Sequence, residues 1–201
     1  MPAFSLIMDA APVGNKNRVF VVRQPDSHRG RGKWMLPGGN IELGDTPYKT
    51  AVKELEEEAG FKIGPQSDVS IIAEEIVGMQ GASFFKGTFP FSEYTKQTIQ
   101  RIFNSRTTPH ETIDWAYVVF YPGVQGEAVI EDHDGNRIAR ANWRNLRGGT
   151  DEGIQLAREN PVMGSPKSPK KKKSRKSKKK KRKSKKKKRK SKKKKRTRRR
   201  N

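Results

Sequence analysis

Three glutamates, Glu54, Glu57 and Glu58, lie within five consecutive residues of a segment that carries the signals of a helix. At about 100° per residue, their side chains fall on one flank of such a helix. Carboxylates held this close repel one another, and a shared cation relieves that repulsion. Ligation by oxygen alone suits Mg²⁺ or Mn²⁺, and phosphate substrates usually travel with Mg²⁺. The spacing therefore makes a divalent-metal site one of two interpretations of this helix.

The helix that must position these carboxylates is predicted from Pro47 to Ala59, with Thr46 as its N-cap and Gly60 just beyond its end. An apolar stripe on it is predicted to pack against the domain, and it comprises Tyr48, Ala51, Val52, Leu55 and Ala59. The alternative for the glutamates is a solvated acidic face, on which Lys53 pairs with Glu57 one turn later.

The segment around this helix resembles the Nudix box, a pattern written G-x5-E-x7-R-E-U-x-E-E-x-G-U, in which U is a bulky apolar residue. Gly39 is followed by five residues and Asp45, then by seven residues and the run Lys53-Glu54-Leu55-Glu56-Glu57-Glu58-Ala59-Gly60-Phe61. The preceding Trp34-x-Leu36-Pro37-Gly38-Gly39 is also similar to that family. Two positions depart from the pattern. Asp45 replaces a Glu with a shorter side chain, and Lys53 replaces an Arg and lacks its bidentate fork.

The resemblance implies an α/β/α sandwich that hydrolyses a nucleoside diphosphate linked to another group. It implies that Glu54, Glu57 and Glu58 are metal ligands, with Glu57 and Glu54 acting in catalysis. Gly38 and Gly39 allow a backbone turn that brings their loop close to the helix flank and to substrate, and their alternative role is a tight turn alone.

Other candidate site residues lie outside the box. Similar proteins often take one more acidic ligand or base from a loop, and we expect Glu131 in that role, with Asp132 and Asp134 as alternatives. The competing interpretation is an ordinary Asp-His-Asp-Gly turn. Arg23 ends a predicted strand on the side of the box and is a candidate contact for substrate phosphate, with a surface arginine as the alternative.

The remaining pattern predicts a layered α/β domain with a mixed sheet. The predicted strands are 4–8, 18–23, 69–76 and 114–121, and a last helix is predicted at 151–159. Pro12, Gly14 and Asn15 indicate a turn between the first two strands. Residues 78–112 give no clear pattern.

The last 40 residues, 162–201, contain 27 Lys and Arg and no acid, whereas residues 1–161 contain 18 basic and 21 acidic residues. The predicted domains are therefore 1–161 and a disordered tail, 162–201, that cannot offset its chain entropy by burial. Its seven-residue repeat has no apolar position, so no coiled coil is predicted. We expect sequence-nonspecific binding of RNA or DNA, by residues that include Lys171, Lys172, Lys173, Arg175, Arg182 and Arg189. The tail also resembles a nuclear localisation signal.

Several classes of protein are excluded by composition. The chain has no cysteine, which excludes a disulfide framework and thiolate metal sites. No apolar run approaches the roughly 18–20 residues of a membrane span, so we expect a soluble intracellular protein. His28, His110 and His133 lack metal-ligand spacing, and no role is assigned to them.

Two functions are predicted. The first is an Mg²⁺- or Mn²⁺-dependent Nudix pyrophosphohydrolase, held on nucleic acid by its tail, that cleaves a nucleoside triphosphate, a dinucleoside polyphosphate or capped RNA. The alternative is a non-enzymatic nucleic-acid-binding or packaging protein with a relic Nudix domain.

Overall fold

The computed structural model describes residues 1–10, 16–27, 32–63, 70–78, 81–121, 127–142 and 144–162, all within the compact unit Met1–Gly164. Its strands are β1 (Pro2–Asp9), β2 (Asn17–Arg23), β3 (Trp34–Met35), β4 (Gly38–Asn40), β5 (Ser70–Val77), β6 (Ser83–Phe89), β7 (Asp114–Phe120), β8 (Val129–Glu131) and β9 (Arg137–Arg140). Its α-helices are α1 (Pro47–Ala59), α2 (Lys96–Asn104) and α3 (Thr150–Glu159). A short 3-10 helix, Phe91–Glu93, precedes α2.

The strands form one mixed sheet in the order β5-β6-β1-β2-β7-β8-β9. Strands β1 and β6 are parallel, and the other neighbouring strands on this path are antiparallel. The two short strands join the sides of this path, since β3 pairs with β2 and β4 pairs with β1. The predicted mixed sheet is confirmed.

Alternation along the central strands gives the sheet two buried faces. On β1, Leu6 and Met8 pack into one apolar cluster, and Ile7, which points the other way, packs into a second cluster. Helices α1 and α2 cover the second cluster, whereas α3 covers the first. Helices therefore lie on both faces of the sheet, as in the predicted α/β/α sandwich.

The signals at both ends of α1 predicted its bounds correctly. The Thr46 side chain accepts a hydrogen bond from the Lys49 backbone N–H at 3.2 Å, and Gly60 ends the helix with φ +78°. The buried side chains differ from the predicted stripe, because Thr50 and Glu58 are buried while Tyr48 is 37% exposed.

The other predicted elements, β1, β2, β5, β7 and α3, agree with the sequence to within two residues at each end, whereas the short strands β3, β4, β8 and β9 were not predicted. Residues 78–112 contain β6 and α2, which the sequence pattern did not indicate. Strand β6 is buried along most of its length, so it lacks the polar alternation that marks a half-exposed strand. Pro12, Gly14, Asn15 and the tail lie outside the described residues.

Among the residues that the structure describes, no helix is both long enough and apolar enough to span a membrane.

Candidate active site

The box glutamates occupy different environments on α1. Glu58 is only 4% exposed, and its Oε2 accepts a hydrogen bond from the Gly38 backbone N–H at 3.0 Å. Glu54 and Glu57 are partly buried. Of the three glutamates predicted to share one flank, Glu58 is therefore the one that the protein encloses.

A two-glycine segment lies directly against this flank. Strand β4 begins with Gly38 and Gly39 and pairs with the start of β1. A Cβ atom on Gly39 would lie 2.1 Å from Glu54 Oε1, and one on Gly38 would lie 2.4 Å from the Ala3 carbonyl oxygen. Backbone therefore leaves no room for a side chain at Gly38, whereas a Cβ on Gly39 would displace the Glu54 carboxylate. The expected turn that brings this loop to the helix flank is present, and its contact with substrate stays a prediction.

Two carboxyl groups of this flank resist ionisation. Burial, followed by the charges of Glu57 and Glu111, raises the pKa of Glu54 to about 6. Burial also raises the pKa of Glu58 well above its ordinary value, and the charges of Glu54 and Glu111 add to this effect, while the Gly38 N–H opposes it. A cation placed among these groups would stabilise their ionised forms and so lower their pKa values.

Glu111 is the acidic neighbour that the sequence did not indicate. It lies in the loop between α2 and β7, and this loop is hydrogen-bonded to the end of α1. Thr108 donates from its backbone N–H and its hydroxyl to the Glu57 carbonyl, at 3.1 and 2.8 Å. The Thr112 hydroxyl donates to the Glu58 carbonyl at 2.7 Å. The loop is thus anchored on the backbone of two candidate metal ligands.

Arg106 holds the same loop from within. Its guanidinium donates to the carbonyl oxygens of Phe103, Pro109 and Thr112, at 2.8, 3.4 and 3.0 Å. These bonds close the backbone around Glu111. No spacing in the sequence marks Glu111, because its proximity to α1 results from contacts between residues about 50 positions apart.

Glu131, the predicted extra ligand, has a different setting. It lies on β8 and forms an ion pair with Lys16 at 2.5 Å. Within the described part of the chain, no contact joins it to the carboxylates of α1. Its role as a metal ligand stays a prediction, and Glu111 is the acidic residue outside the helix whose charge acts on both Glu54 and Glu58.

The other predicted contacts are placed as follows. Arg23 ends β2, and its guanidinium donates to the Gly32 carbonyl at 3.0 Å and to Asp26 at 3.2 Å. Lys53 forms its ion pair with Glu42 at 2.9 Å, rather than the expected pair with Glu57. The nucleic-acid-binding residues predicted in the tail lie outside the described residues.

Among the described residues, no three Asp, Glu, His or Cys side chains converge closely enough to enclose an ion in their present rotamers. The donor set nevertheless fits a hard divalent cation, because it consists of carboxylate oxygens with raised pKa values and mutual repulsion. Glu54, Glu57 and Glu58 are the residues that could hold the ion, with Glu111 beside them.

A cleft of about 230 Å³, open to solvent, adjoins the two glycines, and its lining includes Phe4, Met35, Asn40, Arg147 and Gly148. One face of Phe4 stacks on Phe84, with ring centroids 5.4 Å apart. Arg147 donates to the Met35 sulfur at 3.5 Å, and its charge acts on Glu58. The cleft therefore combines an aromatic ring, an amide and a guanidinium next to the carboxylates, a set suited to a nucleotide. None of these five residues was predicted from the sequence as a site residue.

Comparison with known proteins finds a family model that matches most of the domain. The family model described as NUDIX domain matches residues 6–147. A segment of 45 residues is 42% identical to the 8-oxo-dGTP diphosphatase of Escherichia coli (strain K12) and covers 22% of this chain and 35% of that protein. A segment of 34 residues is 53% identical to a putative mutator protein MutT4 of Mycobacterium tuberculosis (strain CDC 1551 / Oshkosh). It covers 17% of this chain and 14% of that protein. The matched segments thus span about a third or less of these relatives. Among solved structures, a Nudix hydrolase from M. Smegmatis, RenU, is 16% identical with a TM-score of 0.44, covering 81% of this chain and 87% of that one.

Proposed function

We propose that this chain, which belongs to the Nudix family, is a divalent-metal-dependent pyrophosphohydrolase that cleaves a phosphoric anhydride bond in a nucleotide derivative. The observation that carries the proposal is the position of Glu54, Glu57 and Glu58 on one helix beside an open cleft, where burial raises the pKa of Glu54 and of Glu58. A relic domain has no need to retain such a costly arrangement.

The residues divide the chemistry as follows. Glu54, Glu57 and Glu58 hold Mg²⁺ or Mn²⁺, with Glu111 as a further ligand or base. When held by these residues, the ion would supply positive charge to the anhydride oxygens and lower the pKa of a water molecule. Glu57, with Glu54 beside it, accepts the proton of the attacking water, whose oxygen forms a bond to phosphorus as the bridging P–O bond breaks. The released phosphate carries the electron pair of that bond.

The backbone of α1 is well suited to this task. Its last turn is fixed by the Thr108 and Thr112 hydrogen bonds to the Glu57 and Glu58 carbonyls. Fixed main-chain positions limit the carboxylates to side-chain rotation, which is the motion they need to converge on an ion.

The substrate we propose is a nucleotide whose base enters the cleft beside Phe4, with Arg147 near its phosphates. Free or oxidised nucleoside triphosphates, dinucleoside polyphosphates and capped RNA all share this chemistry. The E. coli relative is named for 8-oxo-dGTP, and that nucleotide belongs in the first panel of substrates.

We also propose that residues 162–201 bind nucleic acid as a separate segment. The support is compositional, since 27 basic residues without an acid give a density of charge that only polyanions match.

The proposed hydrolase is tested by Glu57→Gln against a matched control, Glu56→Gln, on the same helix. Glu56 pairs with Lys62 at 3.3 Å, away from the proposed site. With Mg²⁺ or Mn²⁺, a panel of the nucleotides above should give turnover that falls at least about 100-fold in Glu57→Gln, because a neutral amide binds the ion weakly and accepts no proton. Glu56→Gln should keep wild-type turnover. Equal activity of all three proteins, with the same metal requirement, would remove the site.

A further inference from the structure

We propose that residues 137–142 and 144–147 form a binding track, on the folded domain itself, for a single-stranded nucleic-acid chain whose end enters the cleft. This inference rests on the proposed function, because it names the substrate as a polynucleotide that carries the reacting anhydride at its end. The segment contains Arg137, Arg140, Arg144 and Arg147, spaced by three or four residues, and no acid. Residues 1–161 as a whole have more acidic than basic residues, so this density of arginine is local.

The track crosses the sheet from its edge to its centre. It begins on β9, which ends the strand order, and its last residues pair with β3 beside β2. The Trp34 N–H donates to the Asn145 carbonyl at 2.9 Å, and the Arg147 N–H donates to the Trp34 carbonyl at 2.8 Å. At no more than about 3.4 Å per residue, the six steps from Arg140 to Leu146 reach at most about 20 Å. That length accommodates several nucleotides of a single strand.

The arginines along this path are exposed, while the residues between them anchor the segment. All four arginine side chains belong to the exposed class. Leu146 is buried in the apolar cluster that α3 covers, and Asn145 donates from its side chain to the Arg140 carbonyl at 2.8 Å. A fixed backbone that presents cations to solvent loses little entropy when a polyanion binds.

Carboxylates compensate this charge only in part. Among the residues that the structure describes, the ion pairs of Arg137 and Arg140 are both with Glu127, at 3.7 and 3.3 Å, and their side chains remain 52% and 64% exposed. Two cations on one carboxylate leave a net positive charge at the outer end of the track. Guanidinium groups bind phosphate oxygens in pairs, so phosphodiester groups are the matching ligands.

At its inner end the track reaches the site. Arg147 lines the cleft, its guanidinium donates to the Met35 sulfur at 3.5 Å, and its charge acts on Glu58. A thioether is a weak acceptor, so the guanidinium keeps capacity for a phosphate. A chain that lies along the track would therefore deliver its terminal phosphates to α1. An acidic peptide would meet the same arginines but has no anhydride to present.

The kinetic test uses the full-length protein with Arg140→Gln/Arg144→Gln. Its control, Arg101→Gln/Lys62→Gln, removes equal charge from the sheet face that carries α1 and α2. The substrates are a 5′-triphosphorylated single-stranded oligonucleotide and the free nucleoside triphosphate. We expect the ratio of KM for the oligonucleotide to KM for the free nucleotide to rise about 3- to 10-fold in the track variant, with kcat little changed. The control should keep the wild-type ratio, and both variants retain the tail.

A second measurement locates the bound chain without turnover. The same oligonucleotide, about ten nucleotides long and carrying photo-reactive 4-thiouridine near its 5′ end, is cross-linked to wild-type protein in EDTA and mapped by mass spectrometry. Adducts on the track are expected, and polyglutamate at equal charge should compete poorly.

Adducts confined to the tail, or equal competition by polyglutamate, would overturn the track. An unchanged KM ratio, in a protein that does hydrolyse the free nucleotide, would also overturn it and leave the hydrolase in place. Failure of wild type to hydrolyse any anhydride would instead overturn the proposed function, whereas the cross-linking map would still decide the track.

Discussion

Replacing Gly39 by alanine should inactivate the protein without unfolding it. The new Cβ would lie 2.1 Å from Glu54 Oε1, whereas ordinary contact begins at 3.4 Å, so the oxygen must move by at least the difference, 1.3 Å. The obstacle is the end of a flexible side chain, and the backbone can stay in place. A displacement of about 1 Å at a reacting centre costs up to about 100-fold in rate, and we expect a 10- to 100-fold loss of turnover.

Gly38→Ala is the matched control, because its Cβ would meet backbone instead. It would lie 2.4 Å from the Ala3 carbonyl oxygen and 2.8 Å from the Phe4 Cα, both in β1. A strand has no rotamer with which to yield, so this substitution should cost about 1–3 kcal/mol of folding free energy. For a domain of this size, that lowers the Tm by roughly 2–12 °C. Gly39→Ala should therefore lower turnover, whereas Gly38→Ala should lower the stability of the fold.

The assay combines thermal unfolding, turnover of whichever nucleotide the wild type hydrolyses, and a titration with Mg²⁺. Gly39→Ala should show a Tm within about 3 °C of wild type, lower turnover and a weaker response to Mg²⁺. Wild-type turnover with an unchanged Mg²⁺ titration would refute the placement of Glu54 at the reacting centre. A loss of Tm equal to that of Gly38→Ala would refute the argument from side-chain flexibility.

Three further predictions concern the ligands, the pH response and the tail. Because the charge of Glu111 acts on Glu54, Glu111→Gln should lower turnover at least about 10-fold, whereas Glu131→Gln should not. A larger loss of kcat in Glu131→Gln would instead support Glu131 as the extra ligand or base. Folding raises the pKa values of Glu54 and Glu58. In the metal-free protein these two groups therefore contribute fully to the free energy of unfolding below pH 4.5. That contribution is lost as the pH rises through their folded-state pKa values, about 6 for Glu54. The Glu54 contribution is about 1 kcal/mol after allowance for its exposure. Mg²⁺ should therefore raise the Tm more at pH 7.5 than at pH 5. An equal gain in Tm at both pH values would contradict this prediction. Deleting residues 165–201 should leave turnover of a free nucleotide within about twofold of the wild-type value. In an anisotropy titration, the affinity for single-stranded RNA and its salt dependence should both fall sharply. Loss of turnover on every substrate would contradict a separate role for the tail.

Local signals predicted the parts of this protein that are short in sequence. The bounds of α1 follow from Thr46 and Gly60, which satisfy the orphan backbone groups at its two ends. The central strands follow from short apolar runs, as in β7, which is buried at every residue after Asp114. The box glutamates follow from spacing along one helix. Each of these features depends on residues within a few turns of one another.

Burial of individual carboxylates could not be predicted in the same way. By helical periodicity Glu58 belongs to a polar flank, yet the Gly38 N–H and the end of the sheet enclose it. That enclosure depends on β4 pairing with β1, which brings residues 38–40 onto residues 2–4. Helix periodicity describes which side chains share a face and contains no information about what covers that face.

The sequence by itself determined the family, the mixed α/β architecture, the helix that carries the candidate ligands and the concentration of positive charge after residue 161. Only the tertiary structure decided that Glu111 lies beside Glu54 and Glu58, that Lys53 pairs with Glu42, and that Arg147 lines the cleft. The physical reason is that charges and hydrogen bonds act over a few ångströms of space. Folding brings together loops that lie 50 to 100 residues apart, and no periodicity records that approach.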